Sequence, residues 1–436
     1  MKRNKNFIKL MLLVMSIMII ASVQTKGQQV LDTLTYHPFV WESEPPDDIP
    51  FEQSESLIGI RFPGKKSGLV IGDTWYPTWA DDDRLYSPYT DGHCPRLDGG
   101  NDLSISDGIF AGGYGVERTS TGQGVMEGDD PMTLKVYSLG ITHASALPYH
   151  GRYPCGSLFH NGVWYYGTYS LDPAGQTQYG DMIYNWPWLG PFIGFRHSTD
   201  YGRTWVDTPH TPSSPIFGET GQYGHPVKIG APKFVDFGKN MEYSPDGKAY
   251  LVAHGADIHD AEWRFHNASW ITGDQIYLLR VVPSIENINN KEKYEFYGGK
   301  DDNGQLIWTN DFDEIKPLLE WNNNMGCVTI TYNPVLRKYL MCITDGQDTT
   351  GKMNSYILEA DELTGEWRLV TYLKDFGQQA YFLNIPSKFI SEDGLTAWLL
   401  YSGNFTQSWE GIDIVENPPG SHYGLVFQKI EFLTPF

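Results

Sequence analysis

"YPCGSLFHNGVWYYGTYS", residues 153–170, decides the fold class of this chain. An apolar strand runs into an Asn-Gly turn and a second, aromatic-rich strand follows, which is the sequence signature of a β-hairpin. The same plan recurs at 230–255, 325–346 and 384–403, with a weaker copy at 56–75. Because the copies follow one another without helical periodicity, they predict a series of antiparallel sheets.

Further strands lie between the hairpins, at 191–196, 275–281 and 356–359. Five such four-stranded units predict an all-β fold, a five-bladed β-propeller that spans residues 40–433 as a single domain. A β-sandwich is the alternative fold for this pattern. In a propeller the innermost strand of each blade starts at one face near the axis, so we expect the functional side chains at those starts.

The first residues of the chain predict export. A basic start at 2–5 precedes an apolar run at 7–23, and Ala21 and Ser22 supply the small residues of a cleavage site, so residues 1–28 are predicted to be a signal peptide. No later stretch approaches the length of a membrane helix. We therefore expect a periplasmic or secreted protein without a membrane partner.

Charge restricts the partners. The chain has 32 Lys and Arg against 53 Asp and Glu, a formal net charge of −21. Nucleic acid is excluded as a partner because its phosphates would be repelled. If the substrate is an acidic oligosaccharide, basic residues must be concentrated at the site.

The four cysteines leave two alternatives open. Cys327 and Cys342 lie on the two arms of one predicted hairpin, whereas Cys94 and Cys155 are isolated. Export permits disulfides, so one bridge and four buried thiols are both compatible with the sequence.

Residues 198–205, "STDYGRTW", match the Asp-box turn of sialidases and other carbohydrate-active propellers. The Asp box is a folding motif that usually lies away from the active site. The resemblance therefore implies a structural role for Asp200.

Four further phrases, at 72–75, 273–281, 294–308 and 331–341, resemble a family of bacterial five-bladed propellers. That family was long carried as a domain of unknown function and includes glycosidases. The residues predicted at the central opening of the propeller also resemble the His/Tyr/Arg sites of propeller polysaccharide lyases such as ulvan lyases. An oligosaccharide dehydratase of ulvan-degrading marine bacteria would fit both resemblances.

The first functional hypothesis is β-elimination from a uronic acid. A cation or several hydrogen-bond donors must bind the substrate carboxylate, and a base and a proton donor must flank the sugar ring, which are tasks suited to Arg, His and Tyr. The residues predicted to act in catalysis are His150, Tyr153, His225 and Asp73. Those predicted to bind substrate are Arg152, Lys228, His254, His259, Arg264 and Tyr381.

The alternative is glycoside hydrolysis, which needs two carboxylates across the scissile bond. Asp73 is the first candidate, and Asp257, Asp260 or Glu262 could be the second. A non-catalytic sugar-binding propeller is the third hypothesis.

Metal binding is the last alternative for the histidines of this region. His254, His259 and His266 have the right ligand type together with Asp257, but their spacing fits no compact metal motif. The sequence therefore predicts no metal and no cofactor.

Overall fold

The computed structural model describes residues 32–104, 120–143, 152–176, 182–221, 226–256, 271–346, 351–404 and 416–435. In chain order the described strands are β1 (Asp32–Thr35), β2 (Phe39–Val40), β3 (Gly59–Phe62), β4 (Lys65–Gly68), β5 (Ile71–Asp73), β6 (Thr78–Trp79), β7 (Leu85–Pro95), β8 (Asn101–Ser104), β9 (Ser120–Glu127), β10 (Lys135–His143), β11 (Arg152–His160), β12 (Val163–Gln176), β13 (Met182–Ser198), β14 (Lys233–Phe234), β15 (Ala249–Gly255), β16 (Gln275–Val281), β17 (Tyr294–Lys300), β18 (Leu306–Thr309), β19 (Pro317–Glu320), β20 (Gly326–Asn333), β21 (Lys338–Asp345), β22 (Asn354–Ala360), β23 (Arg368–Leu373), β24 (Tyr381–Asn384), β25 (Thr396–Ser402) and β26 (Val426–Leu433).

These strands form antiparallel sheets that follow one another along the chain. The first sheet contains β5–β10, the second β11–β13, the third β14–β19, the fourth β20–β23, and the fifth β24–β26 together with β1–β4. Each sheet contacts the next, through β7 and β11, β11 and β14, β15 and β20, and β20 and β24, and the ring closes where β25 contacts β5. This closed arrangement is a nearly all-β propeller, so the propeller prediction is confirmed at the level of the fold.

The ring is closed by strands from both ends of the described chain. The C-terminal strand β26 pairs with β3, for example Glu431 opposite Arg61, and with β4, for example Val426 opposite Gly68. The weak hairpin phrase at 56–75 is therefore not the first blade's own hairpin. Ile60 is buried with apolar residues of the fifth sheet, and the first sheet begins only at β5.

The other repeated phrases contribute strand pairs, but two of them lack the expected tight turn. In the phrase at 384–403, β24 ends at Asn384, and a connection that contains the 3-10 helix Ser387–Phe389 leads to β25. In the phrase at 153–170, His160 pairs with Val163 across a two-residue turn, and Asn161 and Gly162 both have positive φ, 49° and 76°. Such a turn matches the twist of its flanking strands. In the phrase at 230–255, by contrast, β14 and β15 are joined by a longer connection that contains a short 3-10 helix, Lys239–Met241.

The core consists of apolar clusters between neighbouring sheets, with many aromatic pairs. All four cysteines are free and buried. Cys327 and Cys342 belong to different clusters, which resolves the open alternative in favour of thiols. The helices of the described ranges are 3-10 segments of three residues, and none has the length or apolar character of a membrane span.

The Asp box forms a capped turn after β13. The Asp200 carboxylate accepts hydrogen bonds from the main-chain N–H groups of Arg203 (3.1 Å) and Thr204 (2.8 Å) and from the Thr204 hydroxyl (2.6 Å). These bonds, the Thr204 hydroxyl first, lower the pKa of Asp200 to about 2. Trp205, which ends the motif, packs edge-on against Trp164 of β12. The contacts support the structural role expected for Asp200.

Candidate functional site

The innermost chain segment of the first sheet carries a buried carboxylate. Asp73 ends β5 and is only 6% exposed. Its neighbours adopt backbone conformations that most residues avoid, with φ of 126° at Gly72 and 60° at Thr74. A Cβ at position 72 would lie 2.9 Å from the carbonyl oxygen of Thr90, so glycine is required there. Positive φ at a β-branched residue is strained, and such strain is concentrated at functional sites.

Three hydroxyl groups donate hydrogen bonds to this carboxylate. The Thr74 hydroxyl is 2.7 Å from Oδ1 of Asp73, and the Tyr381 hydroxyl is 2.7 Å from Oδ2. The Tyr423 hydroxyl lies 3.3 Å from Oδ2 and 3.0 Å from the main-chain oxygen of Asp91, so its proton is shared between the two acceptors. Tyr381 begins β24, the innermost strand of the fifth sheet, and Tyr423 lies just before β26. Tyr381 and Tyr423 lie 308 and 350 residues after Asp73 in the sequence, and closure of the ring brings them into contact with it.

Burial dominates the electrostatics of the cluster. It raises the pKa of Asp73 to about 6, while the hydrogen bonds from Tyr381, Thr74 and Tyr423 act in the opposite direction. Burial also raises the pKa values of Tyr381 and Tyr423 well above 10, so both remain protonated donors. The site therefore has a carboxyl group that changes charge near pH 6, surrounded by neutral donors.

A second set of phenols is associated with this carboxylate. Burial raises the pKa of Tyr169 well above 10, and the nearby Cys327, Cys155 and Asp73 groups act in the same direction. Tyr153, predicted as a proton donor, pairs with Tyr169 across β11 and β12, and their ring centroids are 5.8 Å apart. Tyr153 is thus connected to the carboxylate cluster through Tyr169.

The described residues predicted to bind substrate lie in different surroundings. Tyr381 contacts Asp73, as above. The Lys228 ammonium lies 5.9 Å from the ring centroid of Phe312, in the segment after the outermost strand β18, and its main-chain N–H donates to Glu219 (2.8 Å). His254 is fully buried in β15, opposite Ile276 of β16. Neither has a described contact with the carboxylate cluster.

Other predicted residues cannot be placed. Arg152 begins β11, but its side chain is outside the described part of the chain. The remaining predicted residues outside the described ranges are His150, His225, His259 and Arg264, together with the alternative carboxylates Asp257, Asp260 and Glu262 and the metal candidate His266. Their roles stay predictions.

Within the described ranges, no three His, Cys, Asp or Glu residues are grouped as metal ligands. The Asp73 carboxylate is contacted there by hydroxyl groups, which donate hydrogen bonds to it.

Sequence reasoning missed two residues of the central region. Tyr423 lies outside the repeated hairpin phrases, and no sequence signal connects it with Asp73. Lys233 is buried on the innermost strand of the third sheet. A lysine within the apolar stretch 229–237 was a signal that could have identified it.

Comparisons with known proteins give structural similarity alone. No family model matches the chain, and no curated protein matches it. A putative hydrolase from Bacteroides ovatus is 12% identical, with a TM-score of 0.45, over 89% of this chain and 96% of that protein. A GH43_1 enzyme from Xanthomonas citri is 14% identical, with a TM-score of 0.41, over 84% and 88% of the two chains. An alpha-L-arabinofuranosidase from Podospora anserina is 11% identical, with a TM-score of 0.41, over 92% and 98%.

Fold and site together define the class of this protein as a β-propeller with a buried, hydroxyl-bonded carboxylate on an innermost strand. Likenesses as distant as these carry no argument about its activity.

Proposed function

We propose that the chain is a five-bladed propeller glycoside hydrolase in which Asp73 is the ionised member of the catalytic carboxylate pair. Each of the sheets described above corresponds to one blade. The observation that carries the proposal is the surrounding of Asp73, a nearly inaccessible carboxyl group with three hydroxyl donors and a pKa of about 6.

Hydrolysis uses such a group directly. One carboxyl of the pair donates a proton to the leaving oxygen, and the other acts in its charged form as base or nucleophile. A pKa near 6 leaves Asp73 ionised at neutral pH and still basic enough to accept a proton. The three donors favour the charged form, which assigns Asp73 the second role.

The acid partner is proposed to come from the connection between β15 and β16. Ala256 follows β15 and donates its N–H to the carbonyl of Val227. Val227 lies in the segment that leads into β14, so the connection from β15 to β16 starts beside that segment. Asp257, Asp260 and Glu262 follow directly in sequence. Each of the three carboxylates is replaced in turn by its amide, and turnover is measured with substrates whose leaving groups differ in pKa. This comparison would identify the acid.

Elimination is supported less well by the described contacts. That reaction needs a cation or several hydrogen-bond donors that bind the substrate carboxylate. The hydroxyl donors described here already donate to Asp73, and the predicted cation Lys228 lies against Phe312. A hydrolase therefore accounts for the arrangement better than a lyase does.

The test separates the two reactions by their products. The wild-type protein is incubated with neutral and with uronate-containing oligosaccharides, while new reducing ends and the ultraviolet absorbance of a 4,5-unsaturated uronate are followed in parallel. We expect reducing ends without the absorbance, and Asp73→Asn should remove turnover. Growth of the absorbance, or an active Asp73→Asn protein, would overturn the proposal.

Glu359→Gln is the matched control for this experiment. Glu359 is also a buried carboxylate that accepts hydroxyl hydrogen bonds, from Ser54 (2.7 Å) and Ser56 (2.8 Å), but it lies on β22. Its replacement should leave turnover per folded molecule unchanged.

Export completes the proposal, and the acidic character of the substrate stays a prediction. The charge pattern of residues 1–28 supports cleavage of a signal peptide and action outside the cytoplasm. N-terminal sequencing of the protein recovered outside the cytoplasm tests the cleavage. Comparing turnover of neutral and uronate-containing substrates tests the preference for acidic sugars.

A further inference from the structure

A lysine is buried at the centre of the propeller. Lys233, on β14, is 2% exposed, and its ammonium donates to the main-chain oxygen of Ala231 (2.7 Å). The ammonium also lies 4.8 Å from the ring centroid of Tyr76 and 6.0 Å from that of Phe382. Within the described ranges, no carboxylate lies within 4.0 Å of this ammonium.

Lys66 shows how the same fold treats another buried lysine. Its side chain is fully buried, and its ammonium lies 2.7 Å from the Asp32 carboxylate. Burying an ammonium without an anion is costly, because the charge loses its hydration. Contact with an aromatic ring offsets only part of this cost. Lys233 therefore lacks the compensation that Lys66 has.

A second buried donor lies beside Lys233. The hydroxyl of Tyr76 is buried and has no hydrogen-bond partner in the described part of the protein. Burial raises the pKa of Tyr76 well above 10, so this hydroxyl keeps its proton. A buried donor without an acceptor destabilises the folded protein, because it has lost its hydrogen bonds to water.

Lys233 and Tyr76 both line one cavity on the propeller axis. The cavity has a volume of about 30 Å³ and is bounded by innermost segments of all the sheets. Other polar groups in its wall are already satisfied. Thr329 and Thr331 donate to the main-chain oxygens of Leu383 and Ile385 (both 2.7 Å), and the Asp236 carboxylate accepts hydrogen bonds from Gly238 and Ser387. The groups that still require an acceptor are the Lys233 ammonium and the Tyr76 hydroxyl.

We propose that this axial cavity is a binding site for a small monovalent anion, a halide such as chloride, held by Lys233 and Tyr76. An acceptor without protons satisfies both donors, and its charge neutralises the ammonium. A volume of this size holds about one or two water molecules, so it admits a monatomic ion and excludes sulfate and phosphate. The anion joins the innermost strands of the propeller, and its binding stabilises the folded protein.

Chloride-dependent unfolding is the first test. Urea unfolding is followed as chloride replaces methanesulfonate at constant ionic strength, since methanesulfonate is too large for the cavity. With chloride at about 100 times its Kd, the unfolding equilibrium constant of the wild type should fall about 100-fold. Lys233→Met should abolish this dependence, and Tyr76→Phe, which keeps the ring, should weaken chloride affinity at least about tenfold.

Lys66→Met is the matched control, because it removes a buried lysine that already has a carboxylate partner. It should keep the full chloride dependence. Crystals soaked in bromide should show an anomalous peak in the cavity within contact of Lys233 Nζ.

Three outcomes would overturn the proposal: a wild type indifferent to chloride, equal chloride dependence in Tyr76→Phe and wild type, or water alone in the cavity of bromide-soaked crystals. Tyr76→Phe and the bromide crystals decide the question even if Lys233→Met does not fold. All readouts are of stability or binding, so the outcome is independent of the proposed hydrolase activity.

Discussion

Replacing Asp73 with asparagine should stabilise the protein at neutral pH relative to acidic pH while removing its activity. Burial raises the pKa of Asp73 from its usual 3.8 to about 6 in the folded protein. The folded state therefore binds the proton more tightly than the unfolded state does. This contribution to stability is fully present below about pH 3.8 and is lost as the pH rises through about 6.

The size of the effect follows from the same values. At about 1.36 kcal/mol for each pKa unit, a rise of this size corresponds to about 3 kcal/mol, and about 2–3 kcal/mol of it falls between pH 4 and pH 7.5. Asparagine at this position has no charge to desolvate. The free energy of unfolding of the wild type minus that of Asp73→Asn should therefore fall by this amount over the interval.

Urea unfolding of both proteins at several pH values measures the difference, with equal m-values as the condition for comparison. Asp200→Asn is a control of opposite sign. The pKa of Asp200 is lowered from its usual 3.8 to about 2 in the folded protein. Its contribution to the free energy of unfolding is therefore present above pH 3.8 and is lost as the pH falls. If the difference between wild type and Asp73→Asn stays constant from pH 4 to pH 7.5, Asp73 is not desolvated in the folded protein and the argument fails.

Three further results are expected. Turnover should be lost on the acidic side with an apparent pKa of about 6, since Asp73 must be ionised, and a pH–rate profile flat through this region would contradict that role. Tyr381→Phe should move this acidic limb to higher pH, because it removes a 2.7 Å hydrogen bond that lowers the pKa of Asp73. Tyr423→Phe should move the limb less, because its hydrogen bond to Asp73 is 3.3 Å long. Unshifted pH–rate profiles in both variants would exclude both as positioning residues. Asp200→Ala should lower the free energy of unfolding by about 1–2 kcal/mol through the lost turn bonds, with turnover per folded molecule retained, as calorimetry and active-site titration would show.

Local chemistry explains which parts of the fold could be predicted. The turn between β11 and β12 requires positive φ at two successive residues, a conformation that Asn and Gly adopt readily. The dipeptide Asn161-Gly162 therefore predicts this hairpin. The strand predicted at 275–281 is β16 with the same bounds. The phrase at 56–75 has similar local signals, but its strands β3 and β4 pair with β26. Pairing between distant segments is decided by ring closure, which no local pattern encodes.

The candidate site shows the same division. Asp73 was predicted just past the second strand of its hairpin phrase, and Tyr381 near the start of an innermost strand. Their hydrogen bond joins residues 308 positions apart and depends on the contact between the fifth and first sheets. Tyr423 belongs to no repeated phrase, so only the assembled ring identifies it as the third hydroxyl donor.

The neutral character of these donors explains how one carboxylate can serve near neutral pH in a strongly acidic chain. A cation in hydrogen-bond contact typically lowers the pKa of a carboxyl group by about 1–3 units. Hydroxyl donors orient Asp73 but offset only part of the effect of burial, which leaves its pKa at about 6. The one buried cation described near the axis, Lys233, instead donates to Ala231 and faces the rings of Tyr76 and Phe382. Separation of the ammonium from the carboxylate lets Asp73 remain both basic and ionised.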